Sequence, residues 1–237
     1  MATLLSAIES QAREHLNEDT ASFWTSAELI QIINNGIKDL WGMILDLNQE
    51  HFLTIDVTNV SLAVNSSTLT GVPADVFRVH LIEPLTTTPG ATGAGVLFEP
   101  ADYNSHKFIN ARQATAQDPS GGLKVYYTLS QAGAPVGAPT VHVAPQLSTA
   151  LNPLRFVYVP TLAAVAANAN NPIPGESDNA LIAYCVAFAR AKERETADAD
   201  PTWLNVYKTE KTNLAVRLTP RQTQEPEVVE DLYGAYL

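Results

Sequence analysis

The chain has 237 residues, 25 acidic against 14 basic side chains for a formal net charge of -11, one cysteine, and charged residues at only 16%. That balance excludes a protein that grips nucleic acid by neutralising phosphates, which needs clustered Lys and Arg, and the lone cysteine excludes an internal disulfide. The length is enough for one large core or two small ones, read here as one core with an insertion. The charged share lies below the roughly 25% of ordinary domains, so part of the exterior is expected to be covered by neighbouring subunits.

The opening segment, Met1 to about Asn17, places Leu4, Leu5, Ile8, Ala12 and Leu16 on one helical face, with Glu9, Arg13 and Glu14 elsewhere on the wheel. The next start is sharply marked. Thr25 and Glu28 form a Thr-x-x-Glu capping box and Trp24 is placed to staple onto Leu29, opening a helix over Ser26 to about Asn48. Its stripe runs through Ile30, Ile33, Ile37, Leu40, Trp41, Ile44 and Leu47, wide enough to meet more than one partner element. Gly36 and Gly42 inside it each cost about 1 kcal/mol against Ala, which points to close approach of a neighbour, to a bend, or to simple tolerance.

Beyond His51 the period becomes two. Phe52, Thr54, Asp56 and Thr58 alternate with Leu53, Ile55, Val57 and Val60, predicting a strand with one wet and one dry face. Further strands are predicted over Phe77 to Leu85, Gly95 to Phe98, Leu123 to Leu129, Pro139 to Ala144 and Leu154 to Pro160. Turns separate them, such as Thr88-Pro89-Gly90 and Asp118-Pro119-Ser120-Gly121-Gly122. One short helix within Ala101 to Thr115 is expected to lie across the sheet. The Ala-, Asn- and Pro-rich stretch Leu162 to Pro174 returns the chain to the helical layer.

Ser177 is positioned to cap a third long helix, Asp178 to about Asp198, apolar early and solvated late over Lys192-Glu193-Arg194-Glu195. Asp200-Pro201 then supplies an N-cap followed by proline at the first helical position. A stripe of Trp203, Leu204, Tyr207, Lys211, Leu214 and Leu218 completes an αα-hairpin. After Pro220 the periodicity is lost, and apolar residues return among acids. A solvated end has no need of Val228, Val229, Leu232, Tyr233, Tyr236 and Leu237, because ordering costs about 1 to 2 kcal/mol per residue in backbone entropy. These six are the candidate contacts to a neighbouring copy or another protein, with Tyr233 and Tyr236 as anchors.

No enzyme signature emerges. His15, His51, His80, His106 and His142 are scattered, with no pair at the spacing of a helical zinc site. Gly90-Ala91-Thr92-Gly93-Ala94-Gly95 lacks the Lys-Ser or Lys-Thr of a phosphate loop and reads as a turn. There is no Gly-x-Ser-x-Gly elbow and no localised acid pair. Cys185, on an apolar stretch, reads as a small core residue. The opening Met1 to Ser6 carries no charged leader, and no apolar run approaches the ~20 residues that cross a bilayer, so the expectation is a protein made in a cytoplasm, without membrane, cofactor or metal.

Three segments carry a resemblance. They are Phe23-Trp24-Thr25-Ser26-Ala27-Glu28-Leu29-Ile30 with Asn34-Asn35; Val72-Pro73-Ala74-Asp75-Val76-Phe77-Arg78-Val79; and Asp178-Asn179-Ala180-Leu181-Ile182-Ala183-Tyr184-Cys185 with Ala197-Asp198 and the Asp200-Pro201 restart. In order and spacing the chain resembles the head-to-tail adaptor, or connector, proteins of tailed bacteriophages. It does so well at the helical ends and poorly in the middle, where the β-region looks larger than in compact adaptors. The resemblance implies a homo-oligomeric ring, usually dodecameric, that sits in the virion between the capsid portal protein and the tail nozzle or tube. Viral DNA would pass through the lumen without specific binding, and the C-terminal extension would reach the portal or a sister subunit. A tail nozzle or tube subunit is the alternative, and a virion-associated wall hydrolase a third.

The expected fold is α+β: a helical layer built from N- and C-terminal helices, with an inserted antiparallel β-sandwich or barrel-like unit. The expected divisions are residues 1–50, helical; 51–174, the β-rich insertion; 175–218, the helical hairpin packing on the N-terminal helices; and 219–237, the tail.

Overall fold

A computed structural model describes residues 3–18, 23–85, 95–119, 123–130, 139–196 and 198–219. The chain is α+β and divides into two compact units. One is drawn from the chain up to Asn48 and from Ala164 onward, the other from Gln49–Ala163.

In the first unit α1 spans Leu5–Leu16, α2 Ser26–Leu47, α4 Asp178–Glu193 and α5 Pro201–Leu218. Helix α4 is the centre. Ala180, Leu181, Ile182, Ala183, Cys185, Val186, Ala187 and Ala189 are all buried, and α1, α2 and α5 all pack against it. A helix that is apolar all round its middle turns must be covered on every side. Gly36 of α2 makes room for two of the larger side chains of α4. A Cβ there would lie 3.0 Å from Tyr184 Cδ1 and 3.2 Å from Leu181 Cδ2, whereas one at Gly42 would meet nothing within 4 Å. Of the two glycines, only Gly36 is explained by packing.

The segment returning from Ala164 is stitched to this unit by its backbone. Asn171 N donates to Thr3 O at 2.8 Å, Leu5 N to Ala169 O at 3.1 Å and Ser6 N to Ala167 O at 2.9 Å. Asn34 clamps it as well, donating from Nδ2 to Val165 O at 2.9 Å and accepting from Val165 N at 2.8 Å. A primary amide satisfies a peptide group in this bidentate way, and a neighbouring side chain without both a donor and an acceptor could not.

The second unit holds two three-stranded sheets. One has the order β1 (Thr54–Asp56), β6 (Leu154–Pro160), β2 (Val76–Pro84), all antiparallel. The other has the order β3 (Leu97–Pro100), β4 (Lys124–Ser130), β5 (Thr140–Ala144). Both feed one apolar cluster, with Ile82, Leu154 and Phe156 from the first sheet and Val125, Val141 and Val143 from the second. The expectation of a wholly antiparallel unit needs correction at β3 and β4, which run parallel, with Leu97 opposite Lys124 and Pro100 opposite Tyr127. Parallel neighbours need a crossover of a dozen or more residues. Helix α3 (His106–Gln113) lies in that crossover and packs on β4 and β5, with Phe108 its buried residue.

Two more expectations change. The alternation after His51 yields only three strand residues, preceded by a 3-10 turn at Gln49–Phe52, and its apolar set is split: Ile55 is 53% and Val57 38% exposed, while Val60 is fully buried. Asp56 stops the strand by turning its carboxylate back to accept from Thr58 N at 2.9 Å and Asn59 N at 3.0 Å. Ser177 does not cap α4. It ends a 3-10 turn in helical conformation, and its hydroxyl instead accepts from Asn171 Nδ2 at 3.2 Å. A cap residue needs extended backbone to aim its oxygen at the first turn.

Candidate functional site

The residues that carry the resemblance lie mainly along the seams of the helical unit. The capping box forms as expected, with Glu28 N donating to Thr25 Oγ1 at 3.3 Å and Thr25 N to Glu28 Oε2 at 2.9 Å. Glu28 also reaches α4, accepting from Lys192 Nζ at 2.9 Å. Trp24 is buried and donates from its indole Nε1 to Ala189 O at 3.0 Å, tying the start of α2 to the end of α4.

The Lys192 hydrogen bond, then the bonds from Thr25, hold the Glu28 carboxyl down at about 2 from an ordinary 4.5. A depressed carboxyl adds stability that is complete above its unfolded value and lost as pH falls through the folded one. Glu28→Gln should therefore lower stability at neutral pH and flatten the acid limb of a urea-unfolding series between about 4.5 and 2. An unchanged acid limb would show that the pair is fully screened by solvent.

Inside the N-terminal seam sits a polar network. Arg13 and Glu9, expected off the apolar face of α1, are buried. Arg13 Nε donates to Glu9 Oε1 at 3.0 Å, Nη1 to Glu18 Oε2 at 3.3 Å and Nη2 to Ser26 Oγ at 3.3 Å. The second Glu18 duty is to accept from Trp24 N at 3.2 Å and from Phe23 N. The i, i+4 spacing of Glu9 and Arg13 was the signal that could have found the pair, but Glu18 joins it only through tertiary placement.

The Asp200-Pro201 restart forms as read, although α4 ends at Glu193 and not near Asp198. Asp200 caps α5, accepting from Thr202 N at 2.9 Å and Trp203 N at 3.3 Å, and pairs with Arg194. Across the bundle Asp39 of α2 takes a hydrogen bond from Tyr207 and one from Lys211 Nζ at 2.7 Å. Burial pushes the Asp39 carboxyl up, but the bonds from Lys211 and Tyr207 outweigh it and leave it below its ordinary value. Burial and the Asp39 carboxylate push the Tyr207 phenol up, so it stays a donor. The middle motif leads into β2, where Val76 is buried and Asp75 accepts from Tyr158 Oη at 3.4 Å.

The helical unit also carries two open clefts. One, of about 210 Å³, has Trp24, Ile32 and Phe188 as apolar lining, with Glu28 and Lys192 at its rim. The larger, about 490 Å³, lies between α1 and α5 over a floor of α4. The six tail residues Val228, Val229, Leu232, Tyr233, Tyr236 and Leu237 lie outside the described residues, as do residues 86–94, 120–122 and 131–138 with most of the glycine-rich stretch and its neighbouring turns.

Among the described residues no three His, Cys, Asp or Glu side chains gather as a metal site, and no helix is long and apolar enough to cross a membrane. Cys185 is buried, and desolvation, helped by Glu9, pushes its thiol up to about 12, so it is an unreactive core residue.

Caps and cross-helix ties close the seams of the helical unit, and open clefts lie on its surface. A family profile described as SU10 adaptor protein matches residues 2–228, and the chain belongs to that family. It is a phage adaptor-type structural protein, and the family implies partners and a place in the virion. The match spans the β-unit as well as the helical ends. No curated protein matches the chain.

Proposed function

We propose that the protein forms a ring at the head-to-tail junction, joining the capsid portal to the tail and letting DNA pass through its centre. The family match over residues 2–228 carries this reading. The low share of charged residues supports it, as a subunit covered on several sides has less solvated exterior. The net charge of -11 supports a lumen from which a polyanion is not held. Electron microscopy of the protein mixed with portal tests the reading: annular particles capping the portal are expected, and a protein that neither binds portal nor forms rings would overturn it. Antibody or gold labelling of intact particles separates the neck from a position farther down the tail.

The C-terminal tail is the proposed latch, through Val228, Val229, Leu232, Tyr233, Tyr236 and Leu237. Removing residues 220–237 should leave the helical and β-units folded by circular dichroism. Portal binding should weaken at least about tenfold, since one buried aromatic anchor is commonly worth about 2 kcal/mol or more. Undiminished binding would remove the tail from the interface.

A further inference from the structure

The larger cleft of the helical unit has a floor of Asn179, Ile182 and Ala183 from α4, Gln11 on its α1 side and an apolar wall of Val206 from α5. Its walls meet where His15 of α1 and Trp203 of α5 touch with ring centroids 4.9 Å apart and planes tilted by 54°. Two carboxylates line it, Glu14 on the α1 side and Glu210 on the α5 side. Neither has an ion-pair partner among the described residues.

A complementary surface stands farther along α5. At 3.6 residues per turn, Asn205, Thr209, Thr212 and Val216 fall on the side away from the buried Tyr207 and Leu214, and all four are exposed. Val216, at 72%, is the most exposed large apolar side chain among the described residues. Lys208 and Arg217 flank this uncharged ridge, are exposed, and also lack ion-pair partners among the described residues. The molecule thus shows a cleft with two unpaired carboxylates over a floor whose apolar part is Ile182 and Ala183, with Arg190 at the end where His15 and Trp203 meet, and a ridge of uncharged residues with Val216 as its apolar point and two unpaired cations beside it.

We propose that the cleft between α1, α4 and α5 receives the outer ridge of α5 from a second copy of the chain, Val216 on the apolar part of the floor and Lys208 and Arg217 beside Glu14 and Glu210. The assignment rests on the ring reading above and names its subunit contact. The chain's own tail is the poorer occupant, because Glu225, Glu227, Glu230 and Asp231 repeat the sign of the cleft. Cleft and ridge are different patches, so the contact is heterologous: each bound copy still offers one free cleft and one free ridge, and copies add until the rotation closes. Local attraction of opposite charges sets register between subunits that repel one another overall.

The test uses two folded variants, ridge-reversed Lys208→Glu/Arg217→Glu and cleft-reversed Glu14→Lys/Glu210→Lys, assayed for ring formation with portal present. Each alone should assemble at least about a hundredfold less tightly, since like charges then face each other. An equimolar mixture should recover rings, because each altered face meets its complement on the other variant. In addition, full-length Val206→Cys and Val216→Cys copies, mixed and treated with a short bismaleimide, should form crosslinked pairs, the native Cys185 being buried. Rings from either variant alone, or no recovery on mixing, would overturn this contact and leave the ring reading standing. Absence of rings from the unaltered chain would overturn the ring reading, and absence of the 206 to 216 crosslink would then dispose of the contact as well.

Discussion

Replacing Arg13 by Leu should lower the unfolding free energy by about 3–5 kcal/mol, the usual cost of removing one partner from a buried ion pair. Arg13 is only 7% exposed, and its guanidinium is the cation between the buried carboxylates of Glu9 and Glu18. Without it, two negative charges face each other in a seam they left water to enter. The damage should travel, because Glu18 also accepts from the backbone of Phe23 and Trp24, immediately before the capping box of α2. Urea unfolding of the variant measures the loss. The double change Glu9→Leu/Arg13→Leu should recover part of it, because it removes one stranded charge along with its partner. A loss below about 1 kcal/mol, the range of exposed pairs, would mean that water reaches the network.

Gly36→Val should destabilise the chain by about 1–3 kcal/mol, the range for overpacking a filled core, even though glycine is the weaker helix former. The new Cβ falls 3.0 Å from Tyr184 Cδ1 and 3.2 Å from Leu181 Cδ2, so both side chains must give way, and the two further methyls of valine press harder on the α2–α4 contact. Tyr184 is held on two sides, its ring centroid 4.4 Å from Phe188 and 5.0 Å from Tyr207, so the side chain has little room to retreat. Gly42→Ala in the same helix should do the opposite. Its Cβ meets nothing within 4 Å, so the gain in helix propensity, about 1 kcal/mol, is unopposed. Thermal or urea unfolding of both variants reads the contrast, and a shared sign would show that the two sites do not differ in packing.

These opposite expectations for two glycines of one helix mark what could be read without coordinates. Helix starts at Thr25 and Asp200 were legible because a cap is a local device: side chain and backbone donors lie within three residues of each other. Ser177 misled for a related reason. Its residue type suited a cap, but the 3-10 turn before α4 had already put its backbone in helical conformation, and Asn171 claims its hydroxyl. Ile55 and Val57 alternated as a dry face should, yet the strand lasts only from Thr54 to Asp56 and leaves both exposed. The parallel pairing of β3 with β4 had no local signal, since a crossover is a property of where the chain goes and not of the strand residues.

The sequence by itself determined the α+β class, the four long helices, the inert burial of Cys185 and the adaptor resemblance that the family match then supported. Each rests on periodicity, caps or motif order, which neighbours along the chain define. Only the tertiary structure decided that Glu9, Arg13 and Glu18 share one buried network, that Gly36 faces Tyr184, and that Glu14 and Glu210 line one cleft while Val216 stands clear on another face. Those facts join residues from helices far apart in the chain, and electrostatics and packing act through distance in space, which spacing in a sequence does not measure.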